Sequence, residues 1–382
     1  MRLLVIYLSP AETLFSSNLR MTALVRGFLE LGHSVDYVVM PMKPSFTGGN
    51  DTSVIEKANI IRFGSGEKAE RLKNGKQNVI WKMLKRMIKK IFIYDYSYFS
   101  LRKLTRDILP EQEYDVIISS SDPKTSHLAA ERFLRSGLKC RKWIQYWGDP
   151  LASDITNRYL YPEFVLRRIE KNILKRADEV FYVSPVTLEL QKNRYAGLSD
   201  RMKYLPVPYI REKLLEPTGN KVFTIGYFGA YYSHIRNIIP FYQACRSLKE
   251  NVVLNIVGDS DLNLEETEHI HIFQRGEIDE FERKTDLFVC ILNLRGGQIP
   301  GKIYHYAAAN RPVLVIKDGE YADRIHHVFA RYGRYCFTGN HEAEIRDSIL
   351  ELMNDRSVYV PCAAFQPAAV AKRMLDGEDQ ND

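Results

Sequence analysis

Arg295-Gly296-Gly297-Gln298-Ile299-Pro300-Gly301-Lys302-Ile303-Tyr304-His305-Tyr306-Ala307-Ala308-Ala309-Asn310-Arg311-Pro312-Val313-Leu314 compresses one step of a strand–helix–strand fold into a single stretch. The apolar run Asp286–Leu292 before it reads as a buried strand, and Pro312–Ile316 after it as the next. Between them a glycine-containing loop leads to Pro300, which stands at or before the first turn of a helix expected over Gly301–Ala309. Asn310-Arg311-Pro312 ends that helix. Backbone donors at the start of such a helix, with Lys302 in its first turn, make a seat for a diphosphate. The plainer alternative is that Pro300 only opens a core helix.

The same alternation extends outward in both directions. Arg2–Leu8, Ser34–Met40, Asn59–Phe63, Asp115–Ser119, Arg141–Tyr146 and Glu179–Val183 read as strands. Ser16–Leu31, capped by Ser16 or Ser17, Thr125–Ser136 and Glu163–Arg176 read as helices. Strands that are almost wholly apolar and separated by helices imply parallel sheets covered on both faces. Leu205-Pro206-Val207-Pro208 breaks the rhythm, which restarts with Phe223–Phe228 as a strand, Asn237–Leu248 as a helix, Val252–Val257 as a strand and Tyr321–Ala330 as a helix. The expected architecture is α/β, with two Rossmann-like doubly wound domains facing a central cleft. The first spans residues 1–207, a linker 208–221, the second 222–360, and a C-terminal helix with an acidic tail 361–382.

Three loops beyond expected strand ends carry chemistry. In Ile225–Asn237, Gly229 permits close backbone approach and Arg236 is placed to meet a phosphate, or else to pair with a surface carboxylate. Ser119-Ser120-Ser121-Asp122-Pro123 and Tyr146-Trp147-Gly148-Asp149-Pro150 present hydroxyls, carboxylates and an aromatic face suited to a sugar or other polyol. Asp122 and Asp149 have turn or helix capping as their alternative. Asp259-Ser260-Asp261 is compatible with a divalent cation, but a Gly-Asp turn after a buried strand is a common structural need, and no metal is expected. No G-x-G-x-x-G follows the first strand, and no Walker, HExxH or Gly-x-Ser-x-Gly sequence occurs. A nicotinamide enzyme, a phosphate-loop enzyme and a serine hydrolase are therefore without support.

The chain has 382 residues with 54 Lys+Arg against 47 Asp+Glu, a formal charge of +7, and ordinary globular usage at 45 % hydrophobic and 26 % charged. The whole surplus lies between Trp81 and Arg106, where eight basic residues face one acid, leaving 46 of each sign elsewhere. Ile80, Met83, Leu84, Met87, Ile88 and Ile91 recur at helical spacing with Lys82, Lys85, Arg86, Lys89 and Lys90 opposite. Trp81–Phe92 is thus a basic amphipathic segment with aromatic flanks, suited to an anionic membrane surface or, more plainly, to packing as a surface helix. No nucleic-acid module is recognisable. No run reaches the length of a spanning helix, and five scattered cysteines fit a reducing cytoplasm.

Five motifs in order resemble those of GT-B-fold glycosyltransferases, family-4-like enzymes of bacterial polysaccharide assembly. Tyr114–Pro123 is similar to "yDvIisSsPP", Trp147–Pro150 resembles the "D-P-W" region, and Ala177-Asp178-Glu179-Val180 with Val183-Ser184 resembles "aD.vi.vS". Phe228-Gly229 with Arg236-Asn237 resembles "fvG…kn", and Ile299–Tyr306 with Arg311–Leu314 resembles "ipsKlyeY…gkPvl". The resemblance implies a nucleotide-sugar as co-substrate, no cofactor, and transfer with retained configuration. It implies donor contacts from Gly229, Ile299, Pro300, Gly301 and His305, with Lys302, Arg236 and Asp149 as catalytic residues. Asp122 and Trp147 would bind a saccharide or lipid-linked saccharide acceptor at the inner membrane face. His305 stands where the family has a ribose-binding glutamate, and Ala230 where an arginine often follows the glycine. These departures leave a silent GT-B partner module as an alternative. A nucleotide-sugar 2-epimerase, which shares the fold, is a second.

Overall fold

The computed structural model describes residues 1–42, 49–64, 90–94, 96–155, 159–276 and 278–377. Of the expected basic helix Trp81–Phe92, residues 81–89 lie outside these, as does the end of the acidic tail from 378 onward. The chain divides into two compact units, Met1–Ile210 with Gln366–Asp382, and Arg211–Phe365.

The first unit holds a seven-stranded sheet of β1 (Arg2–Tyr7), β2 (Ser34–Val39), β3 (Asn59–Arg62), β4 (Glu113–Ser120), β5 (Lys139–Trp147), β6 (Glu179–Tyr182) and β7 (Met202–Tyr204). Their order is β3-β2-β1-β4-β5-β6-β7, with every pairing parallel. Leu3 to Tyr7 are fully buried, as the unbroken apolar reading of β1 requires. Its helices are α1 (Ser16–Glu30), α2 (Thr125–Arg135), α3 (Glu163–Leu174) and α4 (Pro185–Arg194). Neither Ser16 nor Ser17 caps α1, whose N-cap is Phe15 with no side-chain bond; Ser17 Oγ instead accepts the Tyr7 hydroxyl at 2.7 Å. Ser184 does cap α4, accepting from Thr187 N at 3.2 Å ahead of Pro185.

The second unit holds six parallel strands, β8 (Phe223–Phe228), β9 (Val252–Val257), β10 (Ile270–Phe273), β11 (Leu287–Ile291), β12 (Val313–Lys317) and β13 (Cys336–Gly339), in the order β10-β9-β8-β11-β12-β13. Its helices are α5 (Ile239–Leu248), α6 (Asp279–Arg283), α7 (Lys302–Tyr306), α8 (Ala322–Ala330) and α9 (Glu342–Asn354). The core interleaves β8, β9 and β11 side chains such as Ile225, Leu254 and Val289 with Phe241 of α5 and Ile345 of α9. In each sheet the strand order reverses beside the first strand, between β1 and β4 and between β8 and β11. Such reversals open crevices at the carboxyl ends of strands.

Two expected boundaries shift. Residues 211–221 are not a free linker but part of the second unit. Lys213 N donates to Ala308 O at 2.8 Å, Leu215 N to Asn310 Oδ1 at 2.8 Å, and Thr218 Oγ1 to Asp286 Oδ1 at 2.5 Å. The C-terminal helix Pro367–Asp376 belongs to the first unit and packs on α1. The packing is close because Gly27 has no side chain; a Cβ there would overlap the Pro367 carbonyl and lie 2.9 Å from Ala371 Cβ. Gly27→Ala is therefore expected to destabilise the first unit by about 1–3 kcal/mol, read as a lowered urea midpoint. An unchanged midpoint would show that the helices can move apart without cost.

Candidate active site

In the second unit the two glycine-containing loops expected to bind a donor meet at the reversal between β8 and β11. Leu294 N donates to Ile235 O at 2.8 Å, and Arg236 Nε donates to Asn293 Oδ1 at 3.0 Å. The Arg236 guanidinium also donates to Ala230 O at 2.5 Å, closing its own loop, while Asn293 Nδ2 donates to Gln298 O at 2.8 Å. Asn293 was not singled out from sequence, because nothing local marks an asparagine that serves two loops at once. Gly229 has open space where a Cβ would project. The close approach lies opposite it: a Cβ on Gly258 would strike the Gly229 carbonyl.

Lys302 opens α7, which is only five residues long rather than the expected Gly301–Ala309. Gly301 is its N-cap, and Pro300 is buried. Arg334 ends the turn, donating to the carbonyls of Tyr306, Ala309 and Arg311 at 3.1, 2.5 and 2.7 Å. The Lys302 ammonium lies 5.4 Å from the centre of the Tyr306 ring and 3.7 Å from Glu282 Oε1. The other oxygen of the buried Glu282 binds Lys213 Nζ. Burial lowers the Lys302 pKa from its ordinary value, Lys213 adds to that, and Glu282 opposes both. Neither Lys213 nor Glu282 was foreseen, since one sat in the supposed linker and the other in a stretch without a motif.

Arg236 and Lys302 act on the same strand. Burial pushes the Cys290 thiol of β11 up to about 12, against the pull of both cations. Each is engaged with groups of its own unit. His305 follows Lys302 on α7, and its Nε2 is buried with no hydrogen-bond partner among the described residues. Burial, then Lys302 and Lys213, lower the imidazole to about 3, so it is neutral at physiological pH. Ile299 is half-buried beside it in the loop. Asp261 spends its carboxylate on Ser233, accepting from N and Oγ at 2.7 Å each. Among the described residues no group of three or more His, Cys, Asp or Glu could hold a metal ion.

In the first unit the structure corrects the acceptor expectation. Trp147 is fully buried, stacked on His127 at 4.6 Å, with its Nε1 donating to Gln145 Oε1 at 3.0 Å, so its face is turned inward rather than offered to a sugar. Ser119, Ser120 and Ser121 are fully buried too. Ser119 Oγ accepts from Trp143 Nε1 at 2.9 Å and lies 2.8 Å from His127 Nδ1, and Ser121 Oγ accepts from Gly148 N at 3.2 Å. Arg20 of α1 donates to Ser120 Oγ at 3.3 Å and to Ser121 O, and lies 4.9 Å over the Tyr146 ring. These polar groups therefore tie the ends of β4 and β5 together.

Two candidates remain near solvent. Asp149 is half-buried. Asp122 Oδ1 accepts from Lys124 Nζ at 2.6 Å. Burial alone would lower the Lys124 pKa, but Asp122, Asp154 and Tyr159 raise it above the ordinary lysine range. The loop carrying Asp149 is held from below by the buried Glu170, which accepts from Leu151 N at 2.6 Å, Gln191 Nε2 at 2.9 Å and the Tyr195 hydroxyl at 2.7 Å. Glu170 falls on the expected apolar face of a helix and carries no sequence signal of this role.

His127 supplies a test of these internal contacts. Burial, then Lys124 and Arg20, hold its imidazole well below the ordinary 6.5, while the unfolded chain titrates near that value. The unfolded state thus binds the extra proton first, and stability falls as pH drops below 6.5. His127→Gln is expected to flatten that acid-side loss by about one proton's slope in pH-dependent urea unfolding. A slope equal to that of the wild type would place the lost protons elsewhere.

Residues 222–355 match the family model for glycosyl transferases group 1. No curated protein matches the chain by sequence. Among solved structures, sucrose-phosphate synthase from Thermosynechococcus elongatus is similar at 13 % identity and TM-score 0.55, over 99 % of this chain and 94 % of that one. Anabaena HepE, in complex with UDP and glucose, is similar at 12 % and 0.54, over 98 % and 95 %. A putative UDP-N-acetylglucosamine 2-epimerase from Listeria monocytogenes is similar at 13 % and 0.51, over 98 % and 94 %. At such identities the likeness is one of fold, shared by transferases and an epimerase alike; the activity is carried by the family match in the second unit. Residues 222–355, in the second unit, are a glycosyl transferases group 1 domain, and the fold of the whole chain is that of GT-B glycosyltransferases.

Proposed function

We propose that the chain moves a hexose from a nucleotide-sugar to a saccharide or lipid-linked saccharide acceptor, with retained configuration, in cell-surface polysaccharide assembly. The observation that carries this reading is the pair of loops joined by Arg236 and Asn293, together with the Lys213–Glu282–Lys302 cluster, whose Lys302 acts with Arg236 on Cys290 of β11. Breaking the anomeric bond leaves a nucleoside diphosphate whose new charge must be stabilised. In this reading Lys302 and Arg236 supply that charge with no metal, in a setting where fixed cations act more strongly than in water.

Gly229, Ile299, Pro300 and Gly301 would bring backbone close to the diphosphate. The neutral His305 would meet a ribose hydroxyl, for which its unpartnered Nε2 is suited. Asp149 would face the transferred sugar or the acceptor hydroxyl, with Asp122 beside the acceptor. No helix among the described residues is long and apolar enough to cross a membrane. We place the protein at the cytoplasmic face, held peripherally on anionic lipid through the basic segment Trp81–Phe92 and without nucleic acid as a partner. The free cysteines support a reducing compartment.

Calorimetry with UDP and GDP tests the donor site. One of the two is expected to bind, and Lys302→Ala to weaken binding and lower turnover by about 10²-fold. Because the Lys302 pKa is lowered from 10.5, affinity should fade as pH rises through that lowered value, while Lys302→Arg stays flat across the range. Absence of binding at millimolar nucleotide would sink the reading. NMR of products separates the rivals: a new glycosidic linkage with retained anomer is expected, whereas conversion of the donor sugar without acceptor would indicate an epimerase.

A further inference from the structure

Two segments of the first unit that bond to each other carry six of its large exposed apolar side chains. Ile91, Phe92, Tyr98 and Phe99, together with Leu160 and Phe164, are all between 42 and 73 % exposed. Direct bonds join the two segments: Leu160 N donates to Lys90 O at 2.9 Å, and the Tyr159 hydroxyl donates to Ile93 O at 3.3 Å. Phe92 and Phe99 have ring centres 6.4 Å apart, and Tyr98 stacks on Tyr94 at 5.1 Å. Tyr94 lies beside Leu128 of α2 and Ile169 and Ile173 of α3. A groove of about 510 Å³ continues the surface between Tyr98, Phe99 and Leu101 on one side and Leu128 and Arg132 of α2 on the other. Contiguous apolar patches of this kind are uncommon on proteins that stay in water.

The charge around this plateau has one dominant sign. Residues 90–106 and 159–176 contain nine basic residues against three acids, and one of those acids, Glu170, is buried. On α3 and just past its end, Arg168, Lys171 and Lys175 follow Phe164 at helical spacing and are all exposed. An anionic bilayer offers phosphates above an apolar interior, which complements both the charge and the apolar side chains of this surface.

We propose that this plateau docks the first unit onto an anionic bilayer. Phe92, Phe99, Leu160 and Phe164 enter the interface while Arg168, Lys171 and Lys175 meet headgroup phosphates. Aromatic rings and long basic side chains are the groups that favour that boundary. The inference rests on the membrane attachment read above and adds to it a second contact, from the α3 side, made by residues outside the basic run at 82–90.

The test uses the purified full chain and vesicles of phosphatidylcholine with or without phosphatidylglycerol. Sedimentation with the anionic vesicles is expected, and Phe92→Ser, Phe99→Ser, Leu160→Ser and Phe164→Ser combined should lower partitioning by about tenfold or more. Nucleotide binding by calorimetry should be unchanged, which shows that the variant is folded. A separate Phe164→Trp variant should show a larger blue shift on vesicles, and more quenching by brominated lipid, than the wild type with its own Trp81, Trp143 and Trp147; changes equal to the wild type's would place Phe164 outside the interface. If the wild type binds and the combined variant binds equally, the plateau is wrong and the attachment reading stands. If the wild type ignores anionic vesicles, both fall. Self-association that the combined variant abolishes, without vesicle binding, would overturn the proposal in favour of a second copy of the chain.

Discussion

The candidate donor site depends on how one buried carboxylate is balanced. Glu282 is removed from water and would be costly if left alone; Lys213 on one oxygen and Lys302 near the other make its burial tolerable. The three groups together leave a surplus of one positive charge, and Lys302 and Arg236 both act on Cys290 of β11. That arrangement suits a ligand carrying two negative charges better than a bare pair of lysines, whose mutual repulsion would displace both. It also explains why the 211–221 stretch is pinned to the second unit: Lys213 is the partner the carboxylate requires.

The first unit solves a different problem with similar means. Ser121, Arg20 and Glu170 bind backbone groups at or just past the ends of β4 and β5, where parallel strands run out of ladder partners, while Ser119 ties the Trp143 and His127 side chains together. Asp149 and Asp122, on the loops beyond these ends, are half-buried, and Asp122 pairs with Lys124. The polar residues that seemed suited to a sugar are the support of the site rather than its surface. Exposed aromatic side chains occur along Tyr96–Lys103, at the start of α3 and, with Phe15, at the start of α1.

The family match and the geometry agree in where they point. The matched span begins at β8 and runs through α9, so it contains both loops, the Lys302–Glu282 pair and Arg334. Lys213 stands just before it. The residues that carry the resemblance in the first unit turn out to be largely architectural: Asp115 accepts from Arg2 N at 2.8 Å, Asp178 from Trp143 N at 2.7 Å, and Ser184 caps α4. Motifs there report a fold more than a reaction.

Sequence alone was enough for the central alternation of strand and helix, because burial on both faces leaves long apolar runs such as Leu3–Tyr7 and Leu287–Ile291 that need no partner to be read, whereas the short edge strands β7, β10 and β13 were not singled out. It also located the two glycine loops of the second unit, whose signals are local. It could not show that Trp147 faces inward, since a strand-end tryptophan reads the same whether its ring meets solvent or His127. Nor could it pair Lys213 with Glu282 or Arg236 with Asn293, which are separated by 69 and 57 residues. Charge balance is a property of distance in space, and only the folded chain brings those groups within reach of one another.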